Sequence, residues 1–270
     1  MNMGNCKMNL TVKNDLKVSV FVFLIVACFG NLNAQSDEQS NEELRAKVVN
    51  RIKEMATIPW TPKEDITYWN KKYGFVFKKG ELYTGIPYTQ RNRQTSSKRF
   101  RKYLDQNGVY TGPADYIGSD CSSSVSNAWR AIDPELPFLS THLMFPGMGN
   151  IVKVGEYDVT SLNLTSEIVR DNGKEVIFAA YDMLKPGDAV MTRYETDGHV
   201  RLVVNVDSEN LCVYVIEQCG VRADGNTVSE HSTWRVDRKL SYDELFQTNY
   251  IPITHKGLVD TAIPNRYASD

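Results

Sequence analysis

Apolar residues recur at three- and four-residue intervals over 42–56, EELRAKVVNRIKEMA, where Leu44, Val48, Ile52 and Met55 share one side and charges fill the other. This spacing predicts an amphipathic helix that needs a partner surface. Ile58-Pro59-Trp60-Thr61-Pro62 ends it, because proline cannot continue the hydrogen-bond ladder. A second helix is predicted over 122–132, with Val125, Ala128, Trp129 and Ile132 on one face. From Leu184 onward the pattern changes to runs dense in Val and Ile. Ala189–Arg193 reads as a short strand. Val200–Val206 and Leu211–Ile216 read as a hairpin turning on Asp207-Ser208-Glu209-Asn210. A short helix over 241–246 and a last strand near Tyr250–Thr254 follow. Residues 89–119 are polar and read as a long loop or insertion, and 133–180 carry a mixed pattern, as a second insertion. No internal repeat or low-complexity tract interrupts this order, so one α+β domain over 35–270 is the simplest architecture.

The first 34 residues differ from the rest. Lys7, Lys13 and Lys17 precede the apolar run 18–29, VSVFVFLIVACF, and Leu32-Asn33-Ala34 offers a small residue before a cut. This order predicts a signal peptide over 1–34. The apolar run is shorter than the roughly 20 residues a membrane span needs, so no integral span is expected in the mature chain. Release after Ala34 is the favoured route. The alternative is a lipoprotein signal ending before Cys28, since Ile25-Val26-Ala27-Cys28 resembles a lipobox. Either way the chain is expected to be exported, periplasmic or extracellular, with lipid at Cys28 as the anchored form.

A formal net charge of −2 on 270 residues gives no basic footprint for nucleic acid. No His, Cys and Asp spacing matches a zinc site, and no metal or cofactor is expected. The basic run Arg91, Arg93, Lys98, Arg99, Arg101 and Lys102 reads first as a solvated loop and second as a contact for anionic wall polymer. Trp60, Trp69, Trp129 and Trp234 read as core or pocket wall.

Five cysteines, Cys6, Cys28, Cys121, Cys212 and Cys219, are too sparse for a disulfide framework. A cut at Ala34 leaves three, so at least one thiol needs another explanation. Cys121 stands in Gly118-Ser119-Asp120-Cys121-Ser122-Ser123, immediately before the second helix. Asp120 suits the N-cap, and Cys121 then falls in the first turn, where unpaired N–H groups favour a thiolate. Such a thiol is expected to alkylate below the ordinary thiol pKa of about 8.5. A cysteine nucleophile needs a base and a group to orient that base. Of His142, His199, His231 and His255, only His199 opens a strongly predicted strand, in Asp197-Gly198-His199-Val200. A turn centred on Ser208-Glu209 pairs residue 199 with Gln218, and a one-residue bulge brings Glu217 there instead.

In this order, Gly85-Ile86-Pro87-Tyr88, Asp120-Cys121-Ser122 opening a helix that ends Ala128-Trp129-Arg130, Leu184-Lys185-Pro186-Gly187-Asp188, and Gly198-His199-Val200 resemble the NlpC-type cell-wall cysteine peptidases. The resemblance covers roughly 80–220 as scattered motifs, with Ser123-Ser124 standing where Gly-Phe is usual. It implies a papain-like fold, with N-terminal helices packed on a central antiparallel sheet and the nucleophile at a helix N-terminus. It also implies Cys121 as nucleophile and His199 as base. Asp120 and Ser122 would contact substrate, with Tyr88 nearby. Val215-Ile216-Glu217-Gln218 resembles the Glu-Gln pair of the CHAP amidase branch, which favours Glu217 as the third catalytic residue and leaves Gln218 near substrate.

The implied activity is cleavage of an amide bond in peptidoglycan stem peptides, of γ-D-glutamyl-diamino acid endopeptidase type, with peptidoglycan or its peptide fragments as partner. An N-acetylmuramoyl-L-alanine amidase, or another small-amide hydrolase or acyltransferase, is the alternative within the same chemistry. A non-catalytic wall-binding module is the alternative outside it.

Overall fold

The computed structural model describes residues 40–67, 76–112, 117–219 and 232–259. The expected signal segment 1–34 with Cys28, as well as Trp69 and His231, lie outside the described residues. Helix α1 (residues 40–57) turns Val48, Ile52 and Met55 fully inward, as the periodicity predicts, and stops before Pro59. Strand β1 (Pro59–Pro62) then pairs antiparallel with β4 (Tyr83–Thr84) and parallel with β5 (Val109–Tyr110). Between them β2 (Ile66–Thr67) and β3 (Val76–Phe77) form a two-stranded ladder. Trp60 is the centre of this small layer. Its ring lies 5.1 Å from Phe77, 5.4 Å from Tyr83 and 5.6 Å from Phe100, and its indole N–H donates to the Gly85 carbonyl at 2.8 Å.

The stretch 89–119, expected as a polar loop, contains a short helix, α2 (Ser97–Arg101), capped by Ser96. It is anchored by Phe100, a single apolar residue too isolated for any periodicity to register, which is fully buried. The stretch 133–180 likewise has structure. It holds a 3-10 turn (Thr141–Leu143), β6 (Ile151–Lys153) and α4 (Thr165–Asp182), which breaks at Gly173 where φ is +77°.

The main sheet is six-stranded and antiparallel throughout, in the order β10-β9-β8-β7-β11-β6. Its strands are β7 (Ala189–Arg193), β8 (Gly198–Asp207), β9 (Cys212–Gln218), β10 (Trp234–Ser241) and β11 (Ile251–His255), with β6 at the far edge. Helix α3 (Cys121–Trp129) packs on β8 and β9, α4 on β7 and β11, and α5 (Tyr242–Gln247) on β10 and α4. The protein is therefore α+β with a central antiparallel sheet. The unit Glu43–Val259 is compact. Among the described residues no helix is long and apolar enough to cross a membrane.

Candidate active site

Cys121 is the first residue of α3, and the chain before it is tightly constrained. Asp120 is the N-cap. Its Oδ1 accepts from the Ser123 N–H at 2.7 Å, while the Ser123 hydroxyl accepts from the Asp120 N–H at 2.8 Å. This reciprocal capping box satisfies donors that the first turn leaves unpaired. Asp120 Oδ1 also accepts from the Ser122 hydroxyl at 3.1 Å, and Oδ2 from Arg93 Nη1 at 3.0 Å. Asp120 and Ser122 are 4% and 2% exposed, so both serve the cap. Arg93, from the run expected to be solvated, is the group that shields Asp120; Arg101 of that run sits 3.6 Å from Glu54.

The segment 86–89 crosses just behind Cys121. Ser119 N–H donates to the Pro87 carbonyl at 3.1 Å and Thr89 N–H to the Ser119 carbonyl at 2.9 Å, setting Tyr88 alongside Ser119. The crossing explains Gly118, whose Cβ would lie 2.1 Å from the Pro87 oxygen. Tyr88 is buried, and its hydroxyl accepts from Gln90 at 3.2 Å.

His199 is the second residue of β8. Gly198 before it lies against the 3-10 turn, where a Cβ would fall 2.6 Å from Thr141 Oγ1 and 2.9 Å from the Thr192 carbonyl. The hairpin register differs from a turn centred on Ser208-Glu209. The turn occupies 208–211, with Leu211 left-handed at φ +49° and the Asp207 side chain accepting from the Asn210 N–H. A bulge between Val203 and Asn205 shifts β8 again. Continued outward from Leu202↔Ile216, the ladder sets Arg201 across from Glu217, with His199 two residues further along the same face. His199 Nε2 and Glu217 Oε2 are 2.6 Å apart. With Glu217 ionised, Nε2 carries the proton and Nδ1 is left as an acceptor.

Glu217 is 1% exposed and holds more than the imidazole. Arg201 Nε donates to Oε2 at 2.7 Å; Arg238 and Arg235 donate to Oε1 at 2.8 and 3.4 Å. Burial alone would raise its pKa. The His199 hydrogen bond and charge, and then Arg201, outweigh burial and hold the carboxyl well below the usual carboxylate range.

The thiol meets this cluster at the neighbouring residue. β8 and β9 pair as far as Leu202↔Ile216. Two residues further along β8, the Val200 N–H turns to the Cys121 sulfur, as does the Ser122 N–H. Among the described residues, thiol and imidazole share no direct hydrogen bond; Val200, next to His199, joins them. Cys121 is 8% exposed. Burial and then the Asp120 charge push the thiol well above its ordinary range, against the pull of the two N–H groups. The expectation of a low-pKa thiol is therefore reversed at rest, because desolvation outweighs the helix terminus.

Tyr250 is buried against Arg201. The Arg201 guanidinium stacks over its ring at 4.4 Å, and burial raises its hydroxyl pKa, with Arg201, Glu217 and Cys121 all acting on it. Tyr250 carries no signal in the sequence. Arg201 does: a cation inside His-Val-Arg-Leu-Val-Val must have a buried partner.

Gln218 belongs elsewhere. It is fully buried, its Oε1 accepts from the Ser119 hydroxyl, and its Nε2 donates to the Ile86 carbonyl at 2.7 Å, where Trp234 Nε1 also donates. It ties the Tyr88 segment and the Cys121 turn to β9; both amide ends are committed, so the expected substrate contact is replaced by a structural one. His142 is exposed on the 3-10 turn. His255 is buried on Asp133, and burial lowers its pKa. No disulfide joins the described cysteines, and no group of three or more described His, Cys, Asp or Glu residues is arranged to hold a metal ion. Comparisons with protein-family models, curated proteins and solved structures find no match.

Proposed function

We propose that the chain is an exported cysteine hydrolase of papain-like architecture that cleaves an amide bond in peptidoglycan stem peptides, of γ-D-glutamyl-diamino acid endopeptidase type. Cys121 is the nucleophile, His199 the base and Glu217 the residue that orients the imidazole. The observation that carries this reading is the convergence of three distant segments: a thiol in the first turn of α3 takes an N–H from Val200, the residue after an imidazole whose Nε2 is fixed by a buried carboxylate. The substrate class rests on the motif resemblance, and the export segment supports a cell-wall location.

In the reaction, the thiol is protonated at rest. His199 Nδ1 takes its proton as sulfur attacks the amide carbonyl, and the imidazolium then gives that proton to the leaving amine. Glu217 stabilises the imidazolium between the two transfers. Because the cap occupies the Asp120 and Ser123 N–H groups and the Ser122 N–H turns to the sulfur, the Cys121 N–H is the first-turn donor left for the oxyanion. Water then attacks the thioester, with His199 again as base, and releases the acid and the free thiol.

The test is mass spectrometry of muropeptides after digestion with wild-type and Cys121→Ala protein. Fragments bearing new amine termini with the first and none with the second support the reading; equal release from both sinks it. Cleavage at the lactyl amide would instead identify an N-acetylmuramoyl-L-alanine amidase. A second reading, a non-catalytic wall-binding module, is favoured by the desolvated thiol and the missing thiol–imidazole hydrogen bond. It predicts retention of wild-type protein on purified sacculi with no fragment released.

A further inference from the structure

We infer that Arg201 is a positioning residue for the dyad: its Nε–H fixes Glu217 Oε2, and through that oxygen selects the tautomer of His199. The inference deepens the proposed hydrolase and rests on that reading for its consequence in turnover, but its structural content stands on geometry alone.

Glu217 Oε2 serves two donors, His199 Nε2 at 2.6 Å and Arg201 Nε at 2.7 Å. A carboxylate held by histidine alone could swing about its last torsion, which is broad for an sp² terminus. Here Arg201 holds one oxygen, and Arg238 and Arg235 hold the other. Arg201 is itself immobilised. It is 8% exposed, its planar head lies 4.4 Å above the Tyr250 ring, and its strand position is set by pairing between Val190 and Arg201. Lysine could keep the charge but not this combination of flat stacking and an Nε–H directed sideways.

Two variants in the full chain test this. In wild type, nitrogen NMR of the His199 ring should show one neutral tautomer with the proton on Nε2. In Arg201→Met that signal should become a mixture of tautomers. Turnover of muropeptides should fall by up to about 10²-fold in kcat, the cost of a misplaced catalytic group, with KM little changed. Arg201→Lys keeps charge and stem, so it serves even where the Met variant does not fold. It should still lose the single tautomer. Wild-type ring signals in Arg201→Lys overturn the positioning role. Because the ring signals need no substrate, a protein that cleaves no muropeptide would defeat the proposed activity and still decide what Arg201 does.

Discussion

Asp188 and Glu217 are both carboxylates with 1% exposure, yet their surroundings drive them in opposite directions. Asp188, after the Pro186-Gly187 turn, takes one guanidinium: Arg45 of α1 at 2.8 Å, with the Lys185 N–H at 2.7 Å on its other oxygen. Arg45 also donates from Nη1 to the Pro186 carbonyl and from Nη2 to the Leu258 carbonyl, while its buried Nε has no hydrogen-bond partner. Burial wins, and the Asp188 pKa is raised despite Arg45. Glu217 has three guanidiniums and an imidazole, and its pKa is lowered. Equal burial therefore says little about a carboxylate; the number and kind of cations around it decide. The difference also separates roles. Asp188 staples α1 to the turn that feeds β7, with every partner fixed. Glu217 includes among its partners a ring whose protonation can change.

The largest effect that would break this contrast is on turnover. Glu217→Gln should lower hydrolysis of muropeptides by about 10³- to 10⁴-fold, the loss seen when an orienting carboxylate is made neutral. Asp188→Asn should leave turnover per folded molecule nearly unchanged. If the two variants lose activity equally, the division into hub and staple fails.

Next in size is the effect on folding. Arg45→Met strands Asp188 without its cation and should cost about 3–5 kcal/mol, read from the urea midpoint. The double variant Arg45→Met with Asp188→Leu should recover part of that loss, since a buried pair replaced by apolar groups is often nearly neutral.

The third effect concerns acid. Glu217 is depressed when folded, so the stability it contributes is present above the ordinary carboxylate range and is lost progressively as pH falls below that range toward its folded value. Asp188 is raised, so its contribution is present at low pH and lost as pH rises through its folded value. Urea unfolding between about pH 3 and 6 should therefore show wild-type stability rising with pH, and Glu217→Gln should flatten or reverse that slope. An unchanged slope would mean that Glu217 is not the carboxylate responsible.

The smallest effect is at the cap. Asp120→Ala removes the acceptor for the Ser123 N–H and the partner of Arg93, and should cost about 1 kcal/mol in stability. It also removes a negative charge beside the thiol, so Cys121 should alkylate with iodoacetamide faster at a given pH than in wild type.

Much of the frame was legible because it obeys short periods. The 3.6-residue spacing of Leu44, Val48, Ile52 and Met55, and the Val- and Ile-rich runs around Asp207–Asn210, led directly to α1, β8 and β9. Cys121 at a helix start followed from the order Asp120-Cys121-Ser122. What escaped notice breaks local rules. β10 alternates only until its bulge, where Asp237 adopts φ +53°, and its charged residues resemble a surface loop. α4 is divided at Gly173. The hairpin register could not be read because the turn gains two residues, a shift that keeps faces, and the bulge between Val203 and Asn205 then shifts the pairing by one, so residues 217 and 218 exchange faces. Arg201 was legible in principle, since a guanidinium among valines demands an anion, but its partner lies on another strand and its aromatic platform beyond a further helix. The expected thiolate failed because a helix-end field was weighed without the dehydration of the sulfur beside it.

Gly198 has a consequence for redesign. Its missing side chain is what lets Thr141 rest on the imidazole strand, so the loop before β6 and the strand bearing the base form a matched pair, like a key cut for one lock. Exchanging that loop for another would succeed only when the incoming loop presents an equally close hydroxyl or leaves the gap empty. A methyl group introduced at 198 would fall 2.6 Å from Thr141 Oγ1 and push the 3-10 turn off the strand that carries His199.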